Sequence, residues 1–253
     1  MISIITVCYN AEDTIEATIL SVLENSFFDF ELIIIDGASN DNTINIINKY
    51  ISYIKVFISE RDLGIYDAMN KGLSLANGDW IYFLNSGDLL DKNFSPSLNE
   101  FQSYSIIAFA CDYIYDGLMV SYLPREMSLG RMPASHQALL IKRNVIVNYT
   151  FNLKFKVAAD FDQIVRILSN VKNRLLLVNS KIAIIDGNGF STNNTNRYLF
   201  EYYLIIKDRW GNSNAIFWIM KKIVSSSINN IIKYFLGSST INKLRKIKEN
   251  YNF

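Results

Sequence analysis

The chain has 253 residues, of which half are hydrophobic and 19% are charged, and its net charge is +1. This length and apolar content predict one large domain, or one domain with an appendage, built on a sizeable buried core. The near-neutral charge argues against nucleic acid as a general partner. The two cysteines are too few for a disulfide framework or a cysteine-based metal cluster.

The first ninety residues alternate between strand-like and helix-like segments. Strands are predicted at 2–9, 31–36, 54–58 and 80–84, and helices at 12–24, 41–50 and 65–76. This alternation predicts a parallel sheet with crossover helices, and therefore an α/β, Rossmann-like fold. The sequence contains neither the phosphate-loop pattern GxxxxGK(S/T) nor the pattern GxGxxG, which argues against an ATPase or a dinucleotide enzyme.

Polar residues follow each of these predicted strands, namely Asn10, Asp36, residues 59–62 and Asp88. Ligands of open parallel sheets bind outside the carboxyl ends of the strands. Asp88 follows a run of large apolar residues, so it is expected to face a metal ion or a substrate. The same residues allow an alternative, in which Asp88 caps a helix that starts near Asp91.

After Asp88 the alternation breaks. Strands are predicted at 106–110 and 118–123, on either side of a hairpin turn at Asp116-Gly117. A basic and polar loop at 124–133 precedes a predicted strand at 136–141. A helix is predicted at 160–168, extended segments at 175–178 and 182–185, and a loop at 186–189. The sheet is therefore expected to be mixed, although mainly parallel.

The character of the chain changes from residue 213, where seven basic residues stand against Glu249 alone, interleaved with large apolar residues. This pattern predicts a C-terminal helical appendage over 196–253, basic and amphipathic, lying on an anionic membrane surface. The alternative is a helical cap with a solvated basic outer face. No apolar run is long enough for a spanning helix, and the N-terminus begins directly with a predicted strand. We therefore expect a cytoplasmic protein, peripheral to the inner face of the cell membrane.

Short segments follow one another in an order that resembles a known family. They are IITVCYN at 4–10, IIIDGASNDNT at 33–43, DLGIYDAMNKG at 62–72, FLNSGD at 83–88, PASHQA at 133–138, DFD at 160–162 and GNGFST at 187–192. Together they resemble the family 2 glycosyltransferases of the GT-A fold, in particular those that build bacterial surface polysaccharides such as colanic acid and O-antigen. The resemblance covers roughly residues 1–195, which is the predicted transferase domain.

The resemblance implies a reaction and its partners. The enzyme would invert the anomeric centre while it moves a sugar from a nucleotide-diphosphate sugar, with a UDP-sugar favoured and a GDP-sugar possible. The acceptor would be a saccharide linked to undecaprenyl diphosphate, and the cofactor Mn²⁺ or Mg²⁺. Two alternatives share the α/β layout. One is a nucleotide-binding module without turnover, and the other is a nucleotidyltransferase that releases pyrophosphate.

Residue roles follow from the matched positions. Asp160 stands where the family has its general base, and apolar neighbours would raise its pKa. It could also simply cap the following helix, and the two roles are compatible. Asp162 is the second candidate for the base. Asp36 stands where the family binds the nucleotide base, or else caps a helix. Thr6 and Tyr9 lie on the same predicted strand tip, where Tyr9 could stack on the base.

The remaining roles concern the diphosphate and the metal. Asp62 begins a loop near the expected nucleotide, and Lys71 either offsets diphosphate charge or lies on a solvated helix face. The segment Asn85-Ser86-Gly87-Asp88 stands where the family has its DxD motif, with Asn85 and Gly87 replacing carboxylates. Asp88 is then the expected metal ligand, while Asn85 could supply a carbonyl oxygen. The resemblance places His136 in the acceptor or diphosphate region.

Overall fold

The computed structural model describes residues 1–25, 27–171, 175–187 and 194–225. The strands are β1 (Ile2–Cys8), β2 (Phe30–Asp36), β3 (Val56–Ser59), β4 (Trp80–Phe83), β5 (Leu89–Leu90), β6 (Ile106–Tyr115), β7 (Leu118–Tyr122), β8 (Leu139–Lys142) and β9 (Leu175–Asp186). The helices are α1 (Ile15–Leu23), α2 (Thr43–Asn48), α3 (Ile65–Leu75), α4 (Arg143–Ile146), α5 (Ala159–Asn170) and α6 (Thr195–Trp210), with 3₁₀ turns at Ile51–Tyr53 and His136–Ala138. Residues 212–225 form a further helix.

These strands form one mixed sheet in the order β3-β2-β1-β4-β8-β6-β9-β5, with β7 paired to β6. Strands β3, β2, β1 and β4 run parallel to one another. Strand β8 is antiparallel to both β4 and β6, whereas β9 is parallel to β6. The reversal at β8 follows the parallel half directly, so the carboxyl end of β4 meets the start of β8 at one edge of the sheet.

The parallel half confirms the strands that the apolar runs predict. Every residue of β1 is buried, as is every residue of β2 except the half-buried Phe30. Such β-branched runs are typical of strands covered by helices on both faces. Cys8 and Cys111 are free and buried, as expected of small apolar side chains.

Two details of the second half differ from the prediction. The strand predicted at 136–141 begins only at Leu139, because His136–Ala138 form a 3₁₀ turn. The two extended segments at 175–178 and 182–185 are one strand, β9, which stays paired to β6 through two register shifts. The end of the loop predicted at 186–189, and the basic segment beyond residue 225, lie outside the described residues.

Helices of the C-terminal segment pack against α5. The ring of Tyr202, on α6, stacks on Phe161 with a centroid distance of 4.1 Å and an interplanar angle of 3°. Trp218, on the 212–225 helix, stacks on the same tyrosine at 5.5 Å. This part of the appendage therefore shares a hydrophobic cluster with the helix that carries Asp160. The predicted domain boundary at residue 195 stays a prediction.

Candidate active site

Two adjoining cavities open at the carboxyl ends of β1 and β4. The smaller cavity, of about 490 Å³, lies between the end of β1, the start of α3 and residues 153–156. The larger cavity, of about 790 Å³, lies between β6, the loop 122–137, the end of β9 and the starts of α5 and α6. Ile65, Tyr66, Asn85 and Ser86 line both. The two cavities therefore adjoin at the start of α3 and at the residues that follow β4, and together they form one cleft.

A tight turn brings Asn85 to Asp88 into this cleft. The amide of Asp88 donates to the carbonyl of Asn85 over 3.0 Å, and Gly87 has a φ of +96°. A positive φ at the third position of a turn is the type II geometry, which favours glycine. Thr18 holds the turn from behind, since its hydroxyl accepts from the Gly87 amide and donates to the Asp88 carbonyl.

The carboxylate of Asp88 lines the larger cavity although it is only 4% exposed. One oxygen accepts from the Asp186 amide and the other from the Gln137 side chain, both over 3.0 Å. Burial raises the pKa of Asp88 to about 6, against the lowering effect of these bonds and of His136. The alternative capping role is wrong, because β5 follows Asp88 and no helix begins near Asp91.

Asp160 lines the same cavity from the first turn of α5. Its Oδ1 accepts from the Phe161 amide at 2.8 Å and lies 3.2 Å from the Tyr66 hydroxyl, whose one proton is shared with the Val157 carbonyl at 2.9 Å. Its Oδ2 lies 3.4 Å from Nδ1 of His136. The N-cap position is occupied by Ala158, so the prediction that Asp160 caps this helix is wrong. Asp160 thus keeps a half-buried carboxylate, 18% exposed, that faces the cavity.

His136 connects Asp160 to the turn after β4. Its second ring nitrogen, Nε2, lies 3.1 Å from Nδ2 of Asn85. An amide NH₂ can only donate, so Nε2 accepts, and the ring proton is then on Nδ1, which faces Asp160. The amide oxygen of Asn85 is left buried and without a hydrogen-bond partner in the described part of the chain.

Tyr9 and Asp62 line the smaller cavity. The ring of Tyr9 is 60% exposed, as a stacking surface requires. One carboxylate oxygen of Asp62 accepts from the Gly64 amide at 2.8 Å, while the other lies against Gly37 at the end of β2. Both predicted residues therefore line the same cavity, and their contact with a nucleotide stays a prediction.

Asp36 and Thr6 lie behind this cavity. Asp36 is fully buried and is absent from the described lining of both cavities. Its carboxylate accepts from the Ser39 amide at 3.0 Å, from the Ser39 hydroxyl and from the Ser59 hydroxyl at 2.6 Å. The predicted contact with a base stays a prediction. Thr6 is 1% exposed.

Asp36 does not cap α2, because Asp41 accepts from the Thr43 amide there. Lys71 lies on the outer face of α3. Its ammonium group lies 2.8 Å from Glu60 and 3.6 Å from Asp67, so it is compensated within the protein. Asp162, the second candidate for the base, pairs with Arg166 at 2.8 Å.

Several residues of the site gave no signal in the sequence. Glu201, on α6, accepts from the consecutive amides of Lys156, Val157 and Ala158 just before α5. It therefore fixes the direction in which α5 presents Asp160. Glu201 lies about forty residues beyond the segment it holds, so only the fold brings the two together. The two arginines of the loop 124–133 were visible only as part of a basic segment.

The oxygen atoms of this site suit a hard divalent cation whose coordination shell is completed by phosphate oxygens. Among the described residues, no three His, Cys, Asp or Glu side chains are grouped to hold a metal by themselves. Asn85 and Asp88 nevertheless line one cleft, and the amide oxygen of Asn85 and the carboxylate of Asp88 are oxygen donors of the kind that such a cation prefers.

With this geometry established, comparison with known proteins gives the class. The model of the family "Glycosyl transferase family 2" matches residues 3–161. The match spans more than half of the chain, so the chain belongs to this family and is a glycosyltransferase. The mainly parallel sheet flanked by helices is its GT-A fold.

Individual relatives have related names. A "PGL/p-HBAD biosynthesis glycosyltransferase" of Mycobacterium bovis is 30% identical over 182 residues, which is 67% of this chain and 70% of the relative. The Escherichia coli "UDP-Glc:alpha-D-GlcNAc-diphosphoundecaprenol beta-1,3-glucosyltransferase WfaP" is 34% identical over 52% of this chain and 55% of its own length. Among solved structures, S. aureus TarS 1-349 in complex with UDP-GlcNAc superposes with a TM-score of 0.67 at 17% identity, over 94% of this chain and 76% of TarS.

Proposed function

We propose that this enzyme transfers a sugar, with inversion, from a UDP-sugar to a hydroxyl of a saccharide linked to a lipid diphosphate. The observation that carries the proposal is that Asp88 and Asp160 line one cavity, which adjoins a second cavity at Asn85 and Ser86. A donor that spans this division has its nucleoside in the smaller cavity and its diphosphate at the turn. Its sugar then reaches the cavity of Asp160. The names of WfaP and of the TarS complex support a UDP-sugar as donor.

Asp160 is the general base of this proposal. It takes the proton of the acceptor hydroxyl while that oxygen forms a bond to the anomeric carbon. The bond from the anomeric carbon to the diphosphate oxygen breaks, and its electron pair leaves with the nucleoside diphosphate. Tyr66 and the Phe161 amide bond one oxygen of Asp160, which leaves the oxygen beside His136 for the proton.

His136 is a positioning residue in this proposal. A proton on its Nδ1 fixes the orientation of the Asp160 carboxylate, and Nε2 is held by the Asn85 amide. Asn85 and Asp88 would hold Mn²⁺ or Mg²⁺ together with donor phosphates. That ion would stabilise the charge of the departing diphosphate. The Pyrobaculum calidifontis mannosyltransferase, in complex with GDP-Man and Mn²⁺, superposes on this chain with a TM-score of 0.58. Its bound Mn²⁺ supports this choice of cofactor.

We also propose that the 212–225 helix docks on an anionic membrane. In the part of the chain that the structure describes, no helix is both long and apolar enough to cross a bilayer. The outer face of the 212–225 helix nevertheless exposes Phe217 (63%), Met220 (59%) and Ile223 (56%) beside Lys221 and Lys222. Exposed apolar side chains beside basic ones are typical of interfacial helices, whereas a solvated cap would expose polar side chains.

The transfer is tested with purified protein, radiolabelled UDP- and GDP-sugars, Mn²⁺ and an undecaprenyl-diphosphate-linked saccharide. Transfer from one UDP-sugar with an inverted anomeric configuration is the expected result. A thermal-shift series with UDP, GDP, CMP and dTDP should show the largest rise for UDP, because a ligand of the folded state stabilises it. No transfer from any of these sugars would overturn the proposal.

Flotation with phosphatidylglycerol vesicles tests the membrane contact. The double variant Phe217→Ser and Met220→Ser should bind at least tenfold more weakly, since each large apolar side chain contributes about 1.5–3 kcal/mol when buried. Phe27→Ser is the matched control, because Phe27 is 60% exposed elsewhere on the surface. Equal losses in the two variants would contradict docking through this helix.

A further inference from the structure

The loop 124–133 forms one wall of the larger cavity and is held in a closed shape. The Arg125 amide donates to the Pro133 carbonyl at 2.9 Å, and the Arg131 amide donates to the Ser128 carbonyl at 2.9 Å. Gly130 has a φ of +67° and packs directly against the indole of Trp218, where a side chain would collide with the ring. The two arms of the loop therefore present Arg125 and Arg131 to one cavity.

In the part of the chain that the structure describes, no carboxylate pairs with either guanidinium group. Within the described ranges, neither forms an ion pair or a side-chain hydrogen bond, in contrast to Arg166 and Arg197, which are paired with carboxylates. Burial and the charge of Arg125 lower the pKa of Arg131. The charge of Arg131 in turn helps burial to lower the pKa of Lys222. Arg131 is therefore repelled by both Arg125 and Lys222, and a bound anion would relieve that repulsion.

The charges of the larger cavity are divided by sign. Its carboxylates, Asp88, Asp160 and Asp186, come from the end of β4, the start of α5 and the end of β9, whereas its arginines come from the loop. An acceptor of the proposed kind likewise has two parts with different needs. It carries a hydroxyl that must reach a base, and a diphosphate that needs cations. Guanidinium groups fit phosphate oxygens in a bidentate manner.

We infer that Arg125 and Arg131 form a binding site for the diphosphate of the lipid-linked acceptor, separate from the diphosphate of the sugar donor. This inference rests on the proposed function, because it takes the larger cavity as the acceptor side. The site selects acceptors by their anionic link to the lipid. It also holds that link beside the 212–225 helix, on which the loop packs through Gly130 and Trp218.

The test measures binding of farnesyl diphosphate by calorimetry, in the presence of Mg²⁺ and saturating UDP. The double variant Arg125→Gln and Arg131→Gln should bind it at least tenfold more weakly, because the diphosphate loses its charge-assisted hydrogen bonds to the two guanidinium groups. Its affinity for UDP should be unchanged. The control, Lys207→Gln with Arg209→Gln, removes the same charge from exposed residues of α6 and should bind like the wild type.

Three results would overturn the inference while leaving the proposed function intact. They are unchanged binding of farnesyl diphosphate by the arginine variant, equal binding of farnesol, and competition between farnesyl diphosphate and UDP. If the arginine variant lost only its binding to phosphatidylglycerol vesicles, the two arginines would contact a lipid headgroup. That result would also overturn the inference. Absence of UDP binding in the wild type would instead count against the proposed function.

Discussion

The two cavities differ in what their polar groups are bonded to. In the smaller cavity, Asp62 is bonded to the backbone of its own loop, and Asp36 is sealed behind the wall by serines. In the larger cavity, Asp160, His136 and Asp88 are bonded to one another or to neighbouring elements, and two arginines have no anionic partner among the described residues. The smaller cavity is thus defined by shape, and the larger one by charge. We infer that the smaller cavity binds the nucleoside of the donor and that sugar transfer takes place in the larger cavity.

The largest expected effect is on the base. Asp160→Asn should lower kcat by about 10²–10⁴-fold, because an amide cannot accept the acceptor proton. The affinity for UDP should change little, since Asp160 lines the larger cavity only. Asp162→Asn is the matched control, two residues further along the same helix and paired with Arg166. A loss of activity that is equal in the two variants would argue against Asp160 as base.

The next effect concerns His136. His136→Ala should lower kcat by about 10–100-fold and alter the pH profile of kcat, because Asp160 loses the group that orients its carboxylate. His136→Asn keeps a donor near the position of Nδ1 and should recover part of the activity. Steady-state kinetics across pH would show this. A raised KM for the donor with an unaltered pH profile would instead indicate a direct contact with the donor.

The third prediction concerns Asp36, which lies behind the smaller cavity. Asp36→Asn should lower the free energy of unfolding by about 1–3 kcal/mol, because buried hydroxyl and amide donors lose a charged acceptor. We expect the affinity for UDP to change less than the stability, as for a residue that shapes the cavity from behind. Urea unfolding and calorimetry with UDP would measure the two. A large loss of UDP affinity with unchanged stability would restore the predicted contact with the base.

The smallest effect is a gain in stability. Burial raises the pKa of Asp88 to about 6, so the folded protein binds this proton more tightly than the unfolded chain does. Stability from this group is therefore present at low pH and is lost as the pH rises through about 6. Asp88→Asn should raise the free energy of unfolding by about 1 kcal/mol at neutral pH, and less at pH about 5.

Urea titrations without donor or metal would measure this gain, with the exposed Asp208→Asn as control. A gain that does not depend on pH would contradict the assignment. The same titration predicts that binding of a divalent cation with UDP weakens as the pH falls below about 6, since the ion then competes with a proton for Asp88. The stability lost at neutral pH is then the cost of keeping a buried carboxylate ready for its ligand.

The parallel half of the sheet followed from local patterns, as β1, β2 and β4 show. Their apolar runs are covered on both faces, so the runs themselves mark the strands, and polar residues mark their ends. The capping role of Asp88 failed for a related reason. A carboxylate near a helix start looks the same in sequence whether it bonds to its own helix or, like Asp88, to the distant Gln137 and Asp186.

By itself, the sequence determined the fold class, the family and the segments that meet at the cleft, because the alternation of strands and helices and the short motifs are local patterns. Only the tertiary structure decided that Asp36 is sealed, that His136 stands between Asn85 and Asp160, and that Arg125 and Arg131 face one cavity. These relations join residues far apart in the chain. Burial and electrostatics depend on such distances in space, which local patterns do not encode.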